Sequence, residues 1–145
     1  KMNQKAKELG MTHTHFSNST GLQDENHYTT VKDLSALLGY ALQNQTFRDI
    51  FTSSRHSTAP TNKHPDGVTF QSTLFQNLED QAIPGGEILG GKTGYTEEAG
   101  LCLASLARKN GQEYTLVTAS AKGDHKSEQY DIDDACEVYR ALGQN

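Results

Sequence analysis

The run Gly86-Glu87-Ile88-Leu89-Gly90-Gly91-Lys92-Thr93 satisfies the phosphate-binding pattern G-x-x-x-x-G-K-[ST] letter for letter. That pattern holds phosphate only when a buried strand precedes it and a helix starts at the Lys-Thr, because the cradle is made of backbone N–H groups at the helix N-terminus. Neither flank fits. Asp80-Gln81-Ala82-Ile83-Pro84-Gly85 is no core strand, Gly94-Tyr95-Thr96 is a poor helix start, and Ile88-Leu89 reads as the opening of a strand. On a strand, Lys92-Thr93-Gly94 supports a different chemistry. An edge-accessible strand pairs with an extended peptide, and Gly94 has no side chain to hold a substrate backbone away. Thr93 offers a hydroxyl to a terminal carboxylate, and Lys92 brings positive charge to that carboxylate and to a developing oxyanion. Three letters alone also describe an ordinary strand end, so the flanks must decide.

Around this segment the pattern predicts three strands, Glu87–Thr96, Gly100–Lys109 and Gln112–Ala121. The last two flank Asn110-Gly111, the pair suited to a type I′ turn, and should be antiparallel neighbours. Both alternating faces of Leu101 to Ala107 carry apolar residues, which calls for helices on both sides of the sheet. One cover is a C-terminal helix from about Ser127 to Leu142, with Ile132, Ala135, Cys136, Tyr139 and Leu142 as its stripe. Upstream, Lys1–Leu9 is helical with Gly10 as its C-cap, Met11–Asn26 is a polar loop, and Thr46–Phe51 is a short helical turn. Between the loop and that turn, Thr30 and Asp33 have capping-box spacing ahead of the stripe Leu34, Leu37, Leu38 and Ala41. From Thr52 to Pro84 we expect an irregular surface excursion with strand-like runs near Val68–Phe75.

Composition narrows the functional classes. The 145 residues fit one domain or one piece of one, and the formal charge of −5 without a basic run argues against nucleic acid. Cys102 and Cys136 are too few for a zinc site or a disulfide framework; buried free thiols are expected, and pairing is left open. His13 and His15 suggest a metal pair that no Cys or carboxylate cluster completes, so no metal and no cofactor is expected. Asp131, Asp133 and Asp134 lack the glycine and closing glutamate of a calcium loop and suit the first turn of the last helix. The chain opens on Lys1, in what reads as mid-helix without a cap, and so reads as a piece of something longer.

Taken with their surroundings, these residues resemble a known family. Gly91-Lys92-Thr93-Gly94-Tyr95-Thr96, Ala99-Gly100 and Leu103-Ala104-Ser105 are similar to the third active-site motif of the D-alanyl-D-alanine carboxypeptidases, the low-molecular-mass penicillin-binding class; K-T-G recurs across penicillin-recognising serine enzymes. Lys1 to Met11, Thr14-His15-Phe16 and Thr20-Gly21-Leu22 resemble the segment that follows the family's second motif. The resemblance implies an α+β member of the α/β class, a piece of the β-lactamase/transpeptidase-like fold with an antiparallel sheet flanked by helices, residues 1–145 being the C-terminal portion of the catalytic domain. It implies Lys92 and the Tyr95 backbone N–H as catalytic, the latter half of the oxyanion hole, and Lys92, Thr93, Gly94 and Thr96 as contacts for a peptidoglycan stem peptide or a β-lactam. It also implies an extracytoplasmic place, secreted or membrane-associated.

That chemistry needs a serine with a lysine three residues on, so that both share one helix face. None of the ten serines qualifies, the nearest being Ser105 with Arg108, and none begins a Ser-x-Asn. In the family both motifs lie upstream, so the piece alone is expected to be inert. The alternative is a non-catalytic module that binds wall peptide or β-lactam. Without strands supplied by the front of the chain, Gln112–Ala121 would present an open edge, giving a dimer, a strand exchange, or association with that front segment. Gln71-Ser72-Thr73 lies where some family members carry a substrate-facing arginine, which leaves carboxylate recognition open.

Overall fold

A computed structural model of the chain describes residues 1–143. Its centre is a four-stranded antiparallel sheet in the order β3-β4-β5-β6, built from Ala82–Ile83 (β3), Gly86–Thr96 (β4), Gly100–Lys109 (β5) and Gln112–Ala121 (β6). The β5–β6 hairpin turns at Asn110 (φ 52°) and Gly111 (φ 79°), the two positive values a type I′ turn demands. Helices cover both faces, as the doubly apolar β5 requires. On one side Tyr130–Ala141 (α5) and the short Thr73–Asn77 (α4) pack Leu74, Ile132, Ala135, Cys136 and Tyr139 against Ile83, Ile88, Leu103 and Ala107. On the other, Val31–Ala41 (α2) and Gln45–Phe51 (α3) bring Leu38 and Phe51 onto Leu106, with Leu42, Leu89 and Ala104 at the margin. Met2–Glu8 (α1) precedes them and buries Ala6.

Tyr139 ties α5 to the sheet. Its hydroxyl meets Ser105 Oγ at 2.9 Å, and burial pushes its phenol up to about 12, so it stays protonated and able to donate. Lys109, 5% exposed, donates to the carbonyls of Tyr139 (2.9 Å) and Arg140 (2.7 Å), the unsatisfied acceptors at the helix C-terminus.

Four expectations need correction. The strand-like run near 68–75 is shorter than expected: Thr69–Gln71 (β2) pairs with Arg55–Ser57 (β1), and the chain then turns into α4. The excursion is not wholly on the surface, since Leu74 is 1% exposed and anchors it in the core. The last helix starts at Tyr130, three residues late, because Asp124 Oδ1 takes the N–H groups of Lys126 and Ser127 into a turn. Asp131 and Asp133 lie in its first turn, with Asp134 just beyond. Thr30 caps α2 by accepting the Asp33 N–H at 3.1 Å, but the Asp33 carboxylate does not complete a capping box. Instead it accepts the Thr14 hydroxyl (2.7 Å) and the His13 N–H (2.9 Å), bonds that hold its pKa below the usual range and clamp the 9–30 loop to α2. Both cysteines are free; Cys136 is buried and Cys102 half-buried.

Asp131 places a carboxyl inside this core. It is 1% exposed, and its Oδ1 finds no hydrogen-bond partner among the described residues. Burial, with help from Asp133 and Asp134, raises its pKa. A carboxyl whose pKa is raised by folding contributes fully below the ordinary Asp value of about 4 and loses that contribution as pH rises through its folded pKa. Asp131→Asn is therefore expected to raise the midpoint of urea unfolding at neutral pH, with the gap closing as pH falls through about 4; a gap independent of pH would contradict the raised pKa.

Candidate active site

The order β3-β4-β5-β6 makes β4 an edge over most of its length, because β3 pairs only with Gly86 and Glu87. The Ile88 N–H turns away from β5 to the carbonyl of Gln81 at 2.9 Å. Leu89 is then an extra residue between the pairs Ile88–Ala107 and Gly90–Leu106, a β-bulge that shifts the alternation by one. Carried through the register, the shift leaves Gly91, Thr93 and Tyr95 with their backbone N–H and C=O groups on the open edge. Lys92 Nζ reaches that edge and donates to the Thr93 carbonyl.

Side chains follow the same register. Thr93 and Tyr95 stand opposite Leu103 and Leu101 on the α5 face, and Lys92, Gly94 and Thr96 opposite Ala104, Cys102 and Gly100 on the α2–α3 face. Lys92 is exposed, Thr93 half-buried, and a Cβ built on Gly94 meets nothing within 4 Å. The Thr96 Oγ1 accepts the Ala99 N–H at 3.0 Å and so braces the β4–β5 turn, a duty the sequence did not suggest.

Packing explains the glycines that imitate a phosphate loop. A Cβ on Gly90 would lie 2.3 Å from the Phe51 carbonyl oxygen, where the end of α3 crosses the strand. One on Gly91 would lie 2.7 Å from Leu74 Cδ2 and 2.8 Å from the Ala104 oxygen. They are needed for close approach of helix to strand, and no helix begins at Thr93; the next starts at Tyr130.

Elsewhere the chemistry is thinner. His13, His15 and His27 each engage a nearby group through Nδ1 (Thr12, the Asn26 carbonyl and Ser17), and no cluster suited to a metal occurs among the described residues. Gln71, where an arginine was absent, accepts from Gln76 Nε2 at 2.7 Å just before α4. An open concavity of about 310 Å³ lies between the start of α1 and Phe16–Ser19, with no residue of β4 in its lining. One feature the sequence reading missed lies beside the motif: the His125 ring meets the Tyr95 ring edge-on, with centroids 4.9 Å apart. Only the folded β6–α5 loop brings them together, so no sequence spacing could have signalled it.

Comparison with known proteins bears on the family and the fold. The D-alanyl-D-alanine carboxypeptidase family, Peptidase_S11, matches residues 1–123. The chain is 33% identical over 132 residues to the D-alanyl-D-alanine carboxypeptidase DacF of Bacillus subtilis, covering 83% of this chain and 29% of that protein. It is 30% identical over 112 residues to a D-alanyl-D-alanine carboxypeptidase from a Streptomyces species, covering 77% and 38%. Among solved structures, a D-alanyl-D-alanine carboxypeptidase from Mycobacterium tuberculosis superposes with a TM-score of 0.76 at 24% identity over 99% of this chain and 52% of that one. A Streptomyces DD-transpeptidase gives 0.77 at 24% identity over 95% and 50%. The chain thus spans about half the length of the solved structures and about a third of the curated relatives. An edge strand carrying Lys-Thr-Gly, the matching antiparallel sheet between helices, and the family match over most of its length together place this chain in the D-alanyl-D-alanine carboxypeptidase family.

Proposed function

We propose that the chain is the Lys-Thr-Gly-bearing part of a serine-type D-alanyl-D-alanine carboxypeptidase, which removes the terminal D-Ala of peptidoglycan stem peptides through an acyl-serine. The observation that carries this reading is the open edge of β4 with the motif on it. An extended stem peptide adds to that edge as a further strand, and Gly94 lets its backbone approach. The Thr93 hydroxyl and Lys92 ammonium receive its terminal carboxylate, with Thr96 a further contact through its remaining hydroxyl proton. A serine from outside residues 1–145 attacks the penultimate carbonyl; the Tyr95 N–H and a second donor hold the oxyanion, D-Ala leaves, and water hydrolyses the ester. The substrate places the reaction outside the cytoplasm. No described helix is long and apolar enough to cross a membrane.

The second reading is a wall-peptide or β-lactam binding module with no nucleophile at all. A longer chain that carries Ser-x-x-Lys and Ser-x-Asn upstream excludes it. Residues 1–145 incubated with a fluorescent penicillin are expected to take no covalent label and, through the open edge of β6, to run as a dimer by light scattering until a nucleophile-bearing front segment is supplied. A labelled serine in the isolated chain would refute the assignment of the nucleophile, and a monodisperse monomer the role of the edge.

A further inference from the structure

The site end of β4 has no strand on its outer side, yet an oxyanion donor has to be held to within a fraction of an ångström. Pairing with β5 holds it from one side only. Opposite Cys102, β6 carries an extra residue between the pairs Leu101–Ala121 and Leu103–Thr118, and Ser120 there takes φ 63°, a conformation non-glycine residues seldom adopt. This second bulge bends the end of β6, and the loop that follows is closed by its own bonds. Asp124 Oδ1 accepts from Lys126 and Ser127, Ser127 Oγ accepts the Asp124 N–H at 2.8 Å, and Gln129 Nε2 donates to the carbonyls of Asp124 and Ser127. Gly123, at φ 124°, leaves no room for a side chain between Ser127 and Leu101. The segment so braced presents His125 edge-on to Tyr95.

We infer that His125 is a positioning residue: by packing on the Tyr95 ring from a rigid loop, it fixes the Tyr95 N–H on the open edge of β4. This rests on the reading of that N–H as an oxyanion donor. The ring contact does not touch substrate, so its loss slows the chemical step and leaves binding alone.

Two measurements test it. In a longer chain that includes the Ser-x-x-Lys segment, His125→Ala is expected to lower the rate constant of acylation by a β-lactam about tenfold, with the dissociation constant of the prior complex within about twofold, and His125→Phe to restore the rate. An unchanged rate, an effect confined to binding, or a Phe variant as slow as Ala would overturn the inference. In residues 1–145 alone, nitrogen relaxation is expected to show the Thr93–Thr96 backbone more mobile in His125→Ala than in wild type or His125→Phe; equal order parameters would overturn it without reference to catalysis. A longer wild-type chain that takes no penicillin label would sink the peptidase reading instead, and the relaxation measurement would still decide whether His125 holds the strand.

Discussion

Gly90→Ala is expected to lower the stability of the chain by about 3 kcal/mol, read as a fall in the urea midpoint at unchanged slope. The added Cβ would sit 2.3 Å from the Phe51 oxygen and 2.7 Å from the Thr52 Cα. Both are backbone atoms, so no rotamer change can make room; either the end of α3 or strand β4 has to move. Movement of α3 withdraws Phe51 from Leu38 and Leu106 and empties that side of the core. Gly94→Ala is the control, since its Cβ meets nothing within 4 Å and stability should stay within about 0.5 kcal/mol. In a chain with the nucleophile, that same variant should hinder β-lactam acylation if, as proposed, substrate backbone approaches the open space at Gly94. Equal midpoints for Gly90→Ala and wild type would mean that α3 does not lie on β4.

The second large effect is catalytic. In the longer chain, Lys92→Ala is expected to slow acylation by a β-lactam about 100- to 1,000-fold, the magnitude typical of removing one group that stabilises an oxyanion. Its thermal midpoint should stay near that of wild type. Lys92 is exposed, and among the described residues its ammonium donates to the carbonyl of its own neighbour Thr93, so its removal opens no cavity and orphans no buried partner. A rate within twofold of wild type would remove Lys92 from the mechanism, and a lowered midpoint would make its role structural.

The boundaries of β5 and β6 follow from the sequence directly, and so does their antiparallel pairing, because an Asn-Gly turn and a period-two apolar pattern act over a few residues. The cap at Thr30, the stripe of α5 and the strand character of Lys92-Thr93-Gly94 are local in the same sense. The roles expected of the site residues came from the family resemblance, since spacing alone assigns none. Other features depend on contacts between distant segments. Leu74 makes α4 a core element because Gly91 leaves a hollow for it, seventeen residues on in β4. Asp33 abandons its capping box for Thr14 and His13, partners that exist only once the loop has folded back. The bulge at Leu89 decides which backbone groups face the open edge, and the bulge at Ser120 helps to bring His125 onto Tyr95. Local propensity and pattern therefore determined the strands and the letters of the motif, whereas long-range packing decided how its edge is oriented and braced, since those energies arise between residues that no short window of sequence contains.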